Sequence, residues 1–186
     1  MNIRLLKNVI DKLLGTPYVW WKKSMKDCGP QSYADYATIP DFEKINKIGI
    51  NCVGIVNIIR KSFGLEIPGI KENKPYAGGT YEWFQYLKKN KKLKKFNIRE
   101  VYPEGTLLIR KYKNEADQGH MAIIYQVDEK GVLFSKLAHA YSYTPINLEK
   151  EKHFPGLKID NSVGESHFWY DNGTYTHVCL PEDWLT

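Results

Sequence analysis

Apolar residues recur at helical spacing in three segments of the first half of the chain, which predicts three amphipathic helices. The apolar positions are Leu6, Val9, Ile10, Leu13 and Leu14 in the first segment, Cys52, Ile55, Val56, Ile59 and Phe63 in the second, and Trp83, Phe84 and Leu87 in the third. Asn2 is the candidate cap of the first helix, and Thr80 is that of the third, which runs from about Gly79 to Lys92. The second helix begins at or next to Cys52.

The stretch from Pro17 to Gly49 is rich in aromatic residues and has no clear period, so we expect an ordered loop that walls a cleft. Beyond Pro103 the period changes to two, which is typical of strands. The predicted strands are Thr106–Tyr112, His120–Val127, Val132–Tyr141 and Tyr175–Leu180, with Phe168–Tyr170 as a candidate fifth and a tight turn at Asp128–Gly131. Helices followed by an antiparallel sheet of about five strands predict an α+β fold, with one domain over residues 1–186.

The positive charge of the chain is concentrated in one place. The 186 residues carry 27 Lys+Arg and 21 Asp+Glu, and six of the lysines lie between Lys88 and Lys95. Only four basic residues are arginine, the residue that usually reads bases and phosphates, so a nucleic-acid partner is not expected. The lysine run Lys88–Lys95 could bind nucleic acid or an anionic membrane, which would make the protein an adaptor. A solvated surface is the simpler interpretation of the run.

The three cysteines, Cys28, Cys52 and Cys179, lie far apart without a CxxC pair, which favours a reducing compartment. Charged residues interrupt the apolar positions of the N-terminal segment, so no signal peptide is expected. No apolar run approaches the roughly 20 residues of a membrane span. These features predict a protein of the cytoplasm, or one delivered in a virion or into a host. Its oligomeric state is not determined by the sequence.

Cys52 and two histidines are the residues best placed for chemistry. A thiol at a helix N-terminus is stabilised as the thiolate, although a lone cysteine on an apolar face is also a common buried residue. His120 begins a predicted strand, and a hairpin turn at Asp128–Gly131 would bring His139 roughly opposite it, so one imidazole could orient the other. A solvated role for either histidine stays open, as does a zinc site built from all three residues. No metal-binding or cofactor motif accompanies them, so no cofactor is expected.

Five segments resemble, in order, the motifs of NlpC-type cysteine peptidases, a compact branch of the papain-like superfamily. They are Leu14-Gly-Thr-Pro-Tyr-Val-Trp20, Asn51-Cys-Val-Gly-Ile-Val56, Pro103-Glu-Gly-Thr-Leu-Leu108, Gly119-His-Met-Ala-Ile-Ile-Tyr125 and Ala138-His-Ala140. The resemblance implies a papain-like fold and a hydrolase of amide or related acyl bonds. It implies Cys52 as nucleophile, His120 as general base, His139 as its orienter and Tyr18 beside the oxyanion site. For Tyr18, a packing role under the loop is the alternative.

The chain departs from that family pattern at the nucleophile itself. Asn51 and Val53 stand where the peptidoglycan-cutting members have Asp and Ser, which help to bind the free amine of the stem peptide. Trp21 replaces a glycine, and neither the segment Cys28–Ile48 nor the tail after Tyr143 has a counterpart in the family core. We therefore expect a peptidase or amidase with a different peptide or acyl substrate. An acyltransferase or thioesterase, and a non-catalytic binding module on the same fold, are the alternatives.

Overall fold

Five helices and six strands lie in the described part of the chain, which in this computed structural model comprises residues 2–14, 16, 41–114, 119–126, 136–140, 163–167 and 175–186. The helices are α1 (Ile3–Leu13), α2 (Phe42–Ile48), α3 (Cys52–Ser62), α4 (Thr80–Lys89) and α5 (Pro181–Trp184). The strands are β1 (Lys94–Lys95), β2 (Leu107–Arg110), β3 (His120–Gln126), β4 (Lys136–Ala140), β5 (Val163–His167) and β6 (His177–Cys179). None of these helices is long and apolar enough to cross a bilayer.

The strands form one sheet in the order β1-β6-β2-β3-β4-β5, and every neighbouring pair is antiparallel. The predicted α+β class is thereby confirmed. The C-terminal strand β6 is inserted between β1 and β2, with Ile109 opposite His177 and Leu107 opposite Cys179. A short lysine strand, β1, therefore forms an edge of the sheet beside β6.

Alternating residues of β2 and β3 pack on opposite faces of the sheet. Met121 and Ile123 lie in the large core formed with the helices, whereas Ala122 and Ile124 lie in a smaller apolar cluster on the other face. Both faces of the central strands are covered, and these four side chains are at most 1% exposed. A strand covered on both sides is held in one register, because a slip of one residue would exchange its two faces.

Helix α1 begins as predicted. The side chain of Asn2 accepts a hydrogen bond of 3.0 Å from the backbone N–H of Leu5, and the predicted apolar stripe is buried at Leu6, Val9, Ile10 and Leu13. The prediction for α4 was wrong in one detail. Thr80 is the first helical residue, and the cap is Gly79, which makes no side-chain cap. The buried side chain of Thr80 packs near Gly119.

The predicted loop from Pro17 to Gly49 contains a helix at its end. Asp41 caps α2 by accepting a 3.0 Å hydrogen bond from the N–H of Lys44, and Ile45 is its fully buried anchor. With seven residues, the helix is too short for its apolar spacing to stand out from the surrounding loop. Residues 17–40, the turn at Asp128–Gly131 and the candidate strand Phe168–Tyr170 lie outside the described residues. The strand found nearby, β5, has the polar sequence Val-Gly-Glu-Ser-His, which lacks the alternation of a half-buried strand.

Candidate active site

Cys52 is the first residue of α3, and the helix is held in place on both sides of it. Before it, the buried Asn51 accepts a 2.8 Å hydrogen bond from the backbone N–H of Gly54 through its side-chain oxygen. After it, Val53, Val56 and Ile59 are at most 4% exposed in the helix-side core. The thiol is partly buried. It therefore lies at the positive end of a helix whose position is fixed by capping and packing.

His120 is the first residue of β3, and the glycine before it has a left-handed backbone conformation that other residues rarely adopt. Gly119 has a φ of +81°, and a Cβ there would lie 2.4 Å from the carbonyl oxygen of Arg110 and 2.9 Å from the backbone N of Tyr112. Arg110 is also the cross-strand partner of His120. The close approach of these two strands at Gly119 thus fixes where the partly buried His120 enters the sheet.

The Cys52 thiol and the His120 imidazole form a hydrogen-bonded pair. Burial alone would raise the pKa of the thiol, but the charge of His120 and the hydrogen bond with it act in the opposite direction. Hydrogen bonds from the backbone N–H groups of Met121 and Val53 to the sulfur act with His120, and the net pKa of Cys52 is lowered from its ordinary value. The arrangement favours a thiolate beside an imidazolium, which is the reactive form of a nucleophilic cysteine.

Tyr175 packs against His120 and was not among the residues that the sequence singled out. The two ring centroids are 6.2 Å apart with an interplanar angle of 35°, and Tyr175 is only 7% exposed. Phe96 packs against the same tyrosine with an edge contact of 6.2 Å. Tyr175 precedes β6, so it reaches His120 only through the place of β6 in the sheet. The sequence predicts the strand itself but not its position in the strand order of the sheet.

Of the other two predicted site residues, the backbone of His139 lies within the described residues. His139 lies in β4, where Ala138 is the partner of Ile123. Continuing that register sets the backbone of His139 opposite Ala122, close to the predicted pairing with His120. The side chain of His139 and the whole of Tyr18 lie outside the described residues, so their roles stay predictions.

The cysteines other than Cys52 do not share its setting where the structure describes them. Cys179 is fully buried in the helix-side core, and burial raises its pKa to about 12. Cys28 lies outside the described residues. Among the described side chains, no three His, Cys, Asp or Glu residues gather as a metal site. The zinc alternative includes the side chain of His139, so it is not tested by this observation.

The two residues that flank the nucleophile are turned into the protein. Asn51 is 6% exposed and its oxygen is used by the cap of α3, while Val53 is 4% exposed and packs in the core. Asn51 therefore serves helix capping, and Val53 serves core packing. Asn51 brings no negative charge to the site.

No family model matches the sequence, and no curated protein does. Among solved structures, the chain is similar to a crystal structure from Staphylococcus aureus subsp. aureus Mu50, described as similar to a lipoprotein of the NLP/P60 family. The TM-score is 0.48 and the identity 12%, over 96% of this chain and 41% of that chain. The chain thus spans about two-fifths of that protein. A likeness at this level says nothing about shared chemistry, which has to be argued from the residues themselves.

Proposed function

We propose that the protein is a cysteine hydrolase that cleaves an amide or related acyl bond through an acyl-enzyme on Cys52. The observation that carries the proposal is the hydrogen-bonded pair of Cys52 and His120, in which the pKa of the thiol is lowered despite its burial. A cysteine that serves only as a small core residue has its pKa raised by burial, as Cys179 does. The lowered pKa of Cys52 therefore favours a catalytic role over a packing role.

In the first half of the reaction, the Cys52 thiolate attacks the carbonyl carbon of the substrate, and a C–S bond forms as the carbonyl oxygen becomes negative. The backbone N–H of Cys52 is a suitable donor to that oxygen. The N–H of Gly54 is taken by the Asn51 side chain, and that of Val53 points to the sulfur. The Cys52 N–H has no acceptor in the described part of the chain. A donor fixed at a helix start stabilises the developing charge without reorganisation.

His120 then gives its proton to the leaving amine as the C–N bond breaks, which leaves a thioester on Cys52. A water molecule loses a proton to the now neutral His120 and attacks the thioester, releasing the acid and restoring the thiolate and imidazolium. We propose His139 as the residue that orients His120, and Tyr18 as a further group at the oxyanion site. Acyl transfer would share the same thioester and differ only in the acceptor that replaces water.

Alkylation with iodoacetamide tests the reactive pair directly. Near pH 6 we expect Cys52 to be labelled in preference to Cys28 and Cys179, because only a thiol with a lowered pKa has an appreciable thiolate fraction there. His120→Gln removes the charge and should slow labelling at low pH by about tenfold for each unit by which the thiol pKa rises. Labelling of the variant should approach that of the wild type once the pH exceeds the raised pKa of its thiol. Equal labelling of the three cysteines near pH 6 refutes the proposal.

Trapping the intermediate separates an enzyme from a binding module on the same fold. Incubation with p-nitrophenyl acetate should add one acetyl group to Cys52, seen by mass spectrometry, with a burst of p-nitrophenol. Cys52→Ala keeps a small residue at the helix start and should abolish both signals. An alkylatable Cys52 that never acquires an acyl group from esters or amides would favour the binding module.

The substrate is proposed to differ from the free stem peptide of bacterial cell walls. An ammonium group in a cleft needs a carboxylate or several acceptors in place of water, and an unmatched charge there is costly. Asn51 is neutral and its oxygen is engaged in the helix cap, and Val53 is apolar. We expect poor cleavage of stem tripeptides and tetrapeptides while Cys52 remains alkylatable. Rapid cleavage that depends on Cys52 would restore the cell-wall peptidase as the function.

A further inference from the structure

Four basic side chains from four segments gather on the helix side of the sheet, at its β1 edge. We call Lys88, Lys95, Lys111 and His177 the basic cluster. Lys95 of β1 is the cross-strand partner of His177 in β6. Phe84 of α4, one helical turn before Lys88, lies beside two further members of the cluster. Its ring centroid is 5.0 Å from that of His177, and the Nζ of Lys111 lies 5.5 Å from it.

The lysine run of the sequence is divided by the fold. Lys94 is opposite Val178, which packs on the face of the sheet away from the helices, so Lys94 and Lys95 project to different faces. The Nζ of Lys92 donates to the carbonyl oxygen of Asp183. Lys111 comes from outside the run, directly after β2. The basic cluster is therefore a tertiary feature and not the whole run.

Among the described residues, no acidic side chain forms an ion pair with the lysines of the basic cluster. Its three lysines are exposed, and the ion pairs found among the described residues use other lysines, at positions 7, 71 and 74. Burial lowers the pKa of His177, and the charges of Lys111, Lys95 and Lys88 lower it further. No carboxylate opposes them in the described surroundings of the imidazole. Like charges held together in this way are relieved when an anion binds between them.

The hydrogen bonds of His177 determine which ring nitrogen is available. The hydroxyl oxygen of Thr176 lies 2.8 Å from Nδ1 of His177 and 3.2 Å from the carbonyl oxygen of Ile109, so Nδ1 is engaged with Thr176. In the protonated ring both nitrogens are donors, so the imidazolium can donate to an anion through Nε2 while Nδ1 stays with Thr176. A bound anion would favour that protonated ring and make it a fourth cationic donor.

We infer that the basic cluster binds a phosphate group, either on a soluble ligand or on a lipid headgroup. Three ammonium groups and an imidazole that can take up a proton match a doubly charged tetrahedral anion with several acceptor oxygens. A carboxylate would offer a single charge and two oxygens to the same groups. The inference does not depend on the chemistry of Cys52, and the binding measurements that test it do not involve that residue.

Sulfate and inorganic phosphate are the probes for the site. Sulfate stays doubly charged over the working range, so its titration isolates the ionisation of the protein. We expect sulfate to move the pH midpoint of the His177 ring signals upward in NMR, and to bind more tightly as the pH falls from about 8 to about 5. Sodium chloride at equal ionic strength should not reproduce the shift. His177→Gln should abolish the pH dependence of sulfate binding.

Lys94→Ala and Lys95→Ala form a matched pair, since they remove the same charge from adjacent positions of one short strand. Lys95→Ala and Lys111→Ala should each weaken sulfate and phosphate binding by about three- to fivefold, the effect of removing one exposed charge pair. Lys94→Ala should change it little. Equal weakening by Lys94→Ala and Lys95→Ala would show a diffuse charge effect and overturn the inference, as would the absence of an upward shift at His177.

Vesicles distinguish the two sources of phosphate. Binding to phosphatidylcholine vesicles that contain phosphatidic acid, lost in Lys95→Ala and Lys111→Ala, would identify a lipid headgroup. Binding of phosphate and sulfate without such vesicle binding would identify a soluble ligand. Both results support the site. Failure of phosphate, sulfate and the vesicles alike to bind refutes it.

Discussion

Replacing Asn51 by alanine should destabilise the protein more than the same change at another helix cap. The Asn51 side chain accepts from the N–H of Gly54 at 2.8 Å inside the protein, and the residue is 6% exposed. Loss of a cap costs about 1 to 2 kcal/mol, and the cost lies at the high end where the freed N–H cannot reach water. We therefore expect Asn51→Ala to lower the free energy of unfolding by about 2 kcal/mol, or Tm by about 4 to 8 °C for a chain of this length.

Asn2 offers the matched control. It caps α1 through the same kind of bond, 3.0 Å from the N–H of Leu5, but the bond is exposed. Water can replace the oxygen there, so Asn2→Ala should cost about 0.5 to 1 kcal/mol. Urea denaturation followed by far-UV circular dichroism and tryptophan fluorescence measures both variants. Equal losses in the two, or a loss below about 0.5 kcal/mol in Asn51→Ala, would contradict the role given to burial.

Asn51→Asp tests the electrostatic part of the same site. Aspartate is as good a cap as asparagine, so the capping bond to the N–H of Gly54 should be kept. A carboxylate on the residue next to Cys52 should raise the pKa of the thiol, because like charges oppose each other. Alkylation of Cys52 near pH 6 should then be slower than in the wild type. An unchanged or faster reaction would contradict this effect of charge at the cap on the thiol.

Three further changes probe the rest of the structure. Arg60→Met should lower the free energy of unfolding by about 3 kcal/mol, measured by urea denaturation. The buried guanidinium donates to the carbonyl oxygen of Trp184 and to other groups, which would lose their partner. A loss below about 1 kcal/mol would contradict this role. Gly119→Ala should slow alkylation of Cys52 and lower Tm, because the new Cβ would lie 2.4 Å from the carbonyl oxygen of Arg110. An unchanged Tm would show that the start of β3 relaxes easily. Burial and lysine charges lower the pKa of His177, so the unfolded chain binds the proton first and stability should fall as the pH drops below about 6.5. His177→Gln should flatten that slope in pH-dependent urea denaturation, and an identical slope would count against the lowered pKa.

Local patterns determined the secondary structure wherever one face of an element is apolar. The stripe of α1, the start of α3 at Cys52 and the strand after His120 could all be predicted, because burial of an apolar face imposes the period of the element on the sequence. Short or polar segments were missed. Helix α2 has only seven residues, and β5 has a polar sequence.

The residues proposed for chemistry were identifiable from the chain alone, since a cysteine at a helix start and a histidine at a strand start are recognisable by position. Their meeting was decided by the tertiary structure, through the packing of α3 against β3. The contact of Tyr175 with His120 and the grouping of Lys95 with His177 arise because β6 enters the sheet between β1 and β2. Strand order depends on how all the apolar faces are covered at once, and no local pattern of residues carries that information.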